Sequence, residues 1–153
     1  MMKRVLAGLL TVMLFLTCVP AALAADNSRD FFFQLSVDGS DKKEVQPGDI
    51  IQVDFNLNRT DSADAYTMYG MQNEIRYDSN FFQLVEGSAL LSNGISTTDI
   101  GLRDNYREFY MNFVSLSGGE TWEAKRLVGS FKLKVIATSG VSKITNQDYL
   151  VST

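Results

Sequence analysis

The sequence predicts an all-β protein built as an antiparallel β-sandwich. In residues 51–57, apolar side chains occupy every second position and polar side chains lie between them. A strand buried on one face and exposed to solvent on the other has this two-residue period. Short apolar runs separated by turn residues recur along the rest of the chain, and none sustains a 3.6-residue period. Many short strands with frequent turns favour two stacked antiparallel sheets.

Each expected strand is bounded by turn residues. The Pro47-Gly48 pair starts the alternating strand, since proline presets φ and glycine tolerates positive φ. The pair Asn93-Gly94 is typical of a two-residue hairpin turn. The one helical candidate is the short segment 121–126. The nine expected strands cover residues 31–37, 50–57, 68–77, 81–85, 89–91, 95–102, 108–116, 127–137 and 141–151.

Inward positions of these strands should form the core. The chain has 10 phenylalanines, enough to fill a core of this size, so the aromatic content indicates packing before it indicates a ligand site. The expected core residues are Phe33, Leu35, Val53, Phe55, Leu57, Ile75, Tyr77, Phe109, Met111, Phe113, Phe131, Leu133 and Val135.

The first 24 residues have the pattern of a secretory signal peptide. Lys3 and Arg4 precede an apolar run at 5–19, and Ala22-Leu23-Ala24 supplies small residues for cleavage before Ala25. The run is shorter than the ~20 apolar residues that a membrane span needs. We therefore expect one secreted domain over residues 25–153, extracellular or at the cell surface, with no membrane insertion after cleavage.

Composition excludes several functional classes. Without Lys3 and Arg4, 12 basic residues remain beside 18 acidic ones, a net charge of −6, which disfavours nucleic acid and anionic lipid as partners. The chain has no histidine, and its one cysteine, Cys18, lies in the expected signal peptide. Catalytic systems that need a histidine, His-ligated zinc and disulfides are therefore absent. No cofactor is expected.

The order of several short motifs resembles the cohesin family of bacterial extracellular modules. Each motif is common in sandwiches, but their order and spacing together span about residues 31 to 151. The matching pieces are Val45-Gln46-Pro47-Gly48-Asp49, Tyr69-Gly70-Met71, Ile75-Arg76-Tyr77-Asp78, Phe82-Gln83-Leu84-Val85, the run 127–135 and Gly140-Val141-Ser142-Lys143-Ile144.

This resemblance implies a jelly-roll sandwich related to carbohydrate-binding modules, and a non-catalytic role. Cohesins hold a dockerin-type protein module on one flat sheet face, so a dockerin module is the implied partner. Carried over by alternation, that face would include the outward positions of the strands at 68–77 and 108–116. The partner-binding candidates are Gly70, Gln72, Glu74, Arg76, Tyr110, Asn112, Val114 and Ser115. The alternative is an ordinary solvated sheet face.

Polysaccharide binding is the main alternative function. Trp122, Tyr66 and Tyr69 could stack on sugar rings, as could Tyr106 and Tyr110. Stacking needs two or three coplanar exposed rings. A tryptophan that instead covers one end of the sandwich would gain more from burial.

The carboxylates of the sequence offer candidates for two further sites, a calcium site and a glycosidase active site. Calcium could use Asp38 with Asp41 or Asp61 with Asp64, but neither pair has the spacing of a calcium loop, so no metal is expected. A glycosidase needs two carboxylates facing each other across a cleft, and a small sandwich leaves little room for one. Its candidates are Glu74, Asp104, Glu108, Glu120 and Glu123, and we expect no enzyme activity.

The resemblance also implies one more strand after Asp148-Tyr149-Leu150-Val151, where the sequence stops at Thr153. We therefore expect a domain that lacks its last strand and belongs to a longer surface protein. An unpaired sheet edge would be a risk for aggregation or strand exchange.

Overall fold

A computed structural model describes residues 26–61, 64–91 and 94–153. The expected signal peptide, residues 1–24, and its cleavage site lie outside the described residues, as does Asn93 of the expected hairpin turn. Among the described residues, no helix is long and apolar enough to cross a membrane.

Within these described ranges, eleven strands follow a 3-10 turn at Ser28–Asp30. They are β1 (Phe31–Val37), β2 (Ile50–Arg59), β3 (Tyr66–Met68), β4 (Gly70–Asp78), β5 (Phe82–Leu84), β6 (Leu90–Leu91), β7 (Ser96–Arg103), β8 (Tyr106–Val114), β9 (Glu120–Trp122), β10 (Lys125–Val135) and β11 (Ile144–Ser152).

The strands form two main sheets and a small ribbon. Sheet I has the order β1-β2-β10-β5, and β6 also pairs with β10; sheet II has the order β11-β4-β8-β7. The ribbon consists of β3 and β9. Every pairing is antiparallel. The predicted all-β antiparallel sandwich is confirmed.

Most predicted strand positions agree with the structure, and β1 agrees at both ends. The strand expected at 68–77 is divided, because the chain leaves β3 at Met68 and starts β4 at Gly70. The helix predicted at 121–126 is wrong. Trp122 pairs with Tyr66 across the β3–β9 ribbon, and this long-range pairing outweighs the weak local helix preference.

The core lies between the two sheets. Phe131 is its centre: its ring stacks on Phe55 at 5.3 Å between centroids and meets Phe109 edge-on at 4.9 Å. Of the thirteen predicted core residues, all are buried except Phe33 and Leu35, which are only partly buried. Both lie on β1, an edge strand that pairs with β2 alone among the described strands of sheet I.

Candidate functional site

The outer face of sheet II is the surface predicted from alternation. Along β4 the burial alternates at every residue: Met71 and Ile75 are buried while Gln72 is exposed and Glu74 is half-buried. Strand β8 behaves in the same way from Phe109 to Val114. The sequence therefore predicted correctly which side chains of these two strands face away from the core.

The register places the outward residues opposite one another. Gln72 lies opposite Asn112, and Glu74 lies opposite Tyr110. Gly70, at one end of β4, lies opposite Val114. Six of the predicted partner-binding residues therefore form one patch, completed by Arg76 at the other end of β4.

Ser115 stands apart from this patch. It follows the end of β8, and its hydroxyl accepts a hydrogen bond from the Gly119 N–H at 3.0 Å. The Tyr69 carbonyl accepts a hydrogen bond from the Ser115 N–H at 2.9 Å. These contacts build the turn between β8 and β9.

Carboxylates dominate the middle of the outer face of sheet II. The Tyr110 hydroxyl donates to Glu74 Oε2 at 3.2 Å, and Asp148 of β11 lies opposite Glu74 on the other side of β4. Arg76 forms an ion pair with Glu108 and lies 3.8 Å from Glu74. Two carboxylates, those of Glu74 and Glu108, thus share one arginine. Partial burial, and then the charge of Glu74, raise the pKa of Tyr110.

One end of the same face is apolar. Val114 and Leu150 are 69% and 50% exposed, and they lie to either side of β4: Val114 opposite Gly70, which adds no side chain, and Leu150 opposite Gln72. Leu116, just beyond β8, is 96% exposed. Leu150 and Asp148 were not predicted as part of this face. Alternation within one strand shows which side chains share a face, but it does not show that β11 pairs with β4.

The opposite end opens into a shallow cleft of about 350 Å³, bounded by the end of β4 and the starts of β8 and β11. Arg76 forms one wall, and its guanidinium carbon lies 4.2 Å from the centre of the Tyr106 ring. Its hydrogen bond to Glu108 raises the pKa of Arg76. A smaller pocket of about 140 Å³ lies between the sheets beside Phe109 and Met111.

Of the five aromatic residues proposed for sugar stacking, Trp122 and Tyr66 are buried, and Tyr106 and Tyr110 are partly buried. Trp122 is 1% exposed; its Nε1 donates to Glu120 at 2.9 Å, and Arg126 lies over its ring at 4.0 Å. Tyr66 is 9% exposed, and only Tyr69, at 42%, has a substantially exposed side chain. Trp122 and Tyr66 therefore offer solvent no ring face for a sugar and instead pack one end of the sandwich.

In each pair of loop carboxylates proposed as calcium ligands, one carboxylate has protein partners. Asp38 accepts from the Lys43 ammonium and from the Gln52 N–H, and the Lys43 hydrogen bond is the larger cause that lowers the pKa of Asp38. Asp61 accepts two hydrogen bonds from Arg59, each at 2.8 Å. No group of three or more candidate ligands occurs in the part of the chain that the structure describes.

No family model matches the chain, and no curated protein matches its sequence significantly. Solved structures do match. A cohesin module of the family 33 glycoside hydrolase from Clostridium perfringens superposes with a TM-score of 0.59 at 15% identity, covering 79% of this chain and 82% of that one.

Two further matches were solved as complexes with dockerins. The sixth cohesin of scaffoldin B from Acetivibrio cellulolyticus gives a TM-score of 0.54 at 11% identity, over 78% of this chain and 84% of that one. A type I cohesin–dockerin complex from Clostridium thermocellum gives 0.53 at 14% identity, over 78% and 83%. At these identities the similarity establishes the fold, and the chain has the β-sandwich fold of cohesin modules.

Proposed function

We propose that this chain is a secreted, non-catalytic docking module that binds a dockerin-type protein module in an extracellular or cell-surface assembly. Two observations support the proposal. The chain has the fold of cohesins, two of which were solved with a dockerin. The surface predicted for docking forms one continuous patch on the outer face of sheet II.

The arrangement of that patch carries the proposal. Protein interfaces combine an apolar centre, which excludes water, with a polar rim that supplies hydrogen bonds and charge. Here Val114 and Leu150 provide the apolar part, next to the hydrogen-bonding side chains Gln72 and Asn112. Rigid strands hold these groups, so binding would immobilise little additional chain.

A non-catalytic role agrees with the contacts of the candidate catalytic carboxylates. Glu108 is paired with Arg76, and Glu120 accepts from Trp122. A general acid or base must be able to reach a substrate proton, and these contacts hold both carboxylates against their own neighbours. The chain also has no histidine to replace them.

Calorimetric titration of the purified chain with a panel of dockerins tests the proposal. For any dockerin of the panel that binds, Val114→Lys should weaken the binding at least about tenfold, because it places a charge in the apolar part of the patch. Ile50→Lys is the matched control. Ile50 is 58% exposed on β2 of sheet I, so this variant should bind normally.

Glu74→Lys should also weaken dockerin binding, since it reverses a charge in the middle of the patch. Binding to insoluble glycans is measured in parallel with the same proteins. If no dockerin binds, or if Ile50→Lys is as damaging as Val114→Lys, the proposed docking face is wrong. Glycan binding that survives both sheet II variants would favour the polysaccharide alternative.

A further inference from the structure

The two outer faces of the sandwich carry opposite charge. The described outward positions of sheet I hold three lysines and one aspartate, a net charge of +2: Lys125, Lys132, Lys134 and Asp54. Those of sheet II hold four carboxylates and two arginines, a net charge of −2: Glu74, Asp78, Glu108, Asp148, Arg76 and Arg103. Opposite charges on two surfaces steer and orient their association.

Two of the lysines project from the middle of sheet I. Lys132 and Lys134 are exposed on β10, which pairs with β2 on one side and β5 on the other. Lys132 lies opposite Gln52, and Lys134 lies between Ile50 and Gln83. Neither lysine has an ion-pair partner among the described residues. Both charges are therefore available to a carboxylate from another molecule.

These lysines stand next to exposed apolar side chains. Ile50, opposite Lys134, is 58% exposed, and Ile136, just beyond β10, is 43% exposed. Every second residue of this part of the chain lies on the outer face, so the face changes from apolar at Ile136 to basic at Lys134 and Lys132. Apolar groups rimmed by charged ones are typical of protein contact surfaces.

The outer face of sheet II has the same order with the opposite charge. Val114, Leu150 and Asp148 occupy three successive outward positions of the register around β4, and Glu74 lies beside Asp148. This face therefore changes from apolar to acidic over two steps of about 7 Å each. The change from Ile136 to Lys132 on sheet I takes the same two steps. The two faces thus match in both spacing and charge.

We propose that the outer face of sheet I in one copy of this chain stacks on the outer face of sheet II in the next copy. The exposed isoleucines of one copy then cover the apolar end of sheet II, and its two free lysines lie over the carboxylates. The two contacting surfaces are different, so the contact does not close on itself. Each added copy leaves one face of each kind free, and the oligomers grow with protein concentration.

Stacking goes beyond the proposed docking function and uses a second surface. A dockerin on the outer face of sheet II would exclude the next copy, so the two partners would compete for that face. The outer face of sheet I takes no part in docking. A variant on sheet I should therefore weaken stacking and leave dockerin binding unchanged, so either proposal can fail without the other.

Sedimentation velocity of the protein, purified from a host that expresses all 153 residues, measures stacking. The mean mass should rise with concentration beyond that of a dimer, and added salt should lower it by screening the exposed charges. Lys132→Glu should weaken the association about fivefold, because it places a carboxylate against Glu74 and Asp148. Lys134→Glu, at the next outward position, should act in the same direction.

Arg29→Glu is the matched control, since it makes the same change in net charge. Arg29 is exposed in the 3-10 turn before β1, at the opposite end of sheet I from Ile50. This variant should associate as the wild type does. Dockerin titration of Lys132→Glu should give normal binding for any dockerin that binds the wild type.

A mixture of two variants tests whether the contact joins two different faces. Val114→Glu places a carboxylate in the apolar end of sheet II but keeps the sheet I face, whereas Lys132→Glu keeps the sheet II face. Each variant alone should associate weakly, and the mixture should form a dimer that does not grow further. If like faces paired instead, one of the variants would associate normally by itself.

Several results would overturn the proposal. One is a protein that stays monomeric at its highest soluble concentration in low salt. Another is an association that Lys132→Glu leaves unchanged, or that Arg29→Glu weakens as much. A mixture of Val114→Glu and Lys132→Glu that recovers no dimer overturns it equally.

Discussion

At the scale of single residues, Tyr66 carries a hydroxyl group that destabilises the fold. The group is buried beside the core and has no hydrogen-bond partner among the residues that the structure describes. A buried polar group without a partner costs its desolvation free energy and recovers none of it. The same burial raises the pKa of Tyr66 to about 12, from an ordinary value of 10.0.

Tyr66→Phe should therefore stabilise the protein at neutral pH by up to about 1 kcal/mol. In the wild type, the pKa of Tyr66 is higher in the folded state, so ionisation of this hydroxyl disfavours the fold: stability is undiminished below pH 10.0 and falls as the pH rises toward 12. The variant should lose less stability over that interval. Urea unfolding at several pH values measures both effects. A variant that is clearly less stable at pH 7 would contradict the absence of a partner.

Asp38 shows the opposite pH dependence. Its hydrogen bonds from Lys43 and Gln52 lower its pKa, so its ionised form stabilises the fold above the unfolded value of 3.8 and this contribution is lost as the pH falls through the folded value. Asp38→Asn should make stability less dependent on pH below about 4, measured by urea unfolding. An unchanged acid profile would show that the Lys43 contact has no net effect.

At the scale of elements, the turn between β8 and β9 depends on two consecutive glycines with positive φ. Gly118 has φ of +98° and Gly119 has φ of +87°. Their surroundings differ. A Cβ on Gly118 would meet nothing within 4 Å, whereas a Cβ on Gly119 would overlap Thr67 of β3. The second glycine therefore permits the close approach of the turn to the β3–β9 ribbon.

Gly118→Ala and Gly119→Ala form a matched pair. Both introduce the strain of a left-handed alanine, about 1 kcal/mol, and only Gly119→Ala adds a steric overlap. We expect Gly119→Ala to be about 2 kcal/mol less stable than Gly118→Ala, measured by thermal or urea unfolding. Equal losses would mean that Thr67 moves aside without cost.

The same region shows how far local patterns can specify an element. From the sequence, the segment 121–126 is the one helical candidate, a turn or two at most. The structure instead forms β9, because Thr121 and Trp122 pair with Thr67 and Tyr66 from a distant part of the chain. Strand propensity depends strongly on such neighbours, and a single sequence does not show which distant residues will become neighbours.

At the scale of the whole molecule, Trp122 closes one end of the sandwich. Its ring contacts Phe113 of sheet II at 4.9 Å between centroids, and Arg126 of sheet I lies over it. Trp122→Ala should destabilise the fold by about 3 to 5 kcal/mol, measured by urea unfolding. Val141→Ala, at a site that is 91% exposed, should change stability very little. A fully stable Trp122→Ala variant would contradict the role of Trp122 in packing.

The candidate docking face could be predicted from the sequence only in part. Alternation is a property of one strand, so Gln72, Glu74 and Asn112 could be assigned to an outer face from the sequence alone. Their neighbours across strands could not be assigned. Asp148 and Leu150 join the face only because β11 pairs with β4, and this pairing depends on contacts between distant segments.

The amino-acid sequence by itself determined the secondary structure class, most strand positions and most of the core, because side-chain period and turn residues act over a few neighbouring positions. Tertiary structure decided which strands lie side by side, that Trp122 packs inward, and that Phe33 and Leu35 lie on an edge strand of sheet I within the described residues. These outcomes depend on which distant segments pack together and on how deeply their side chains are then buried, and a local sequence pattern does not specify either.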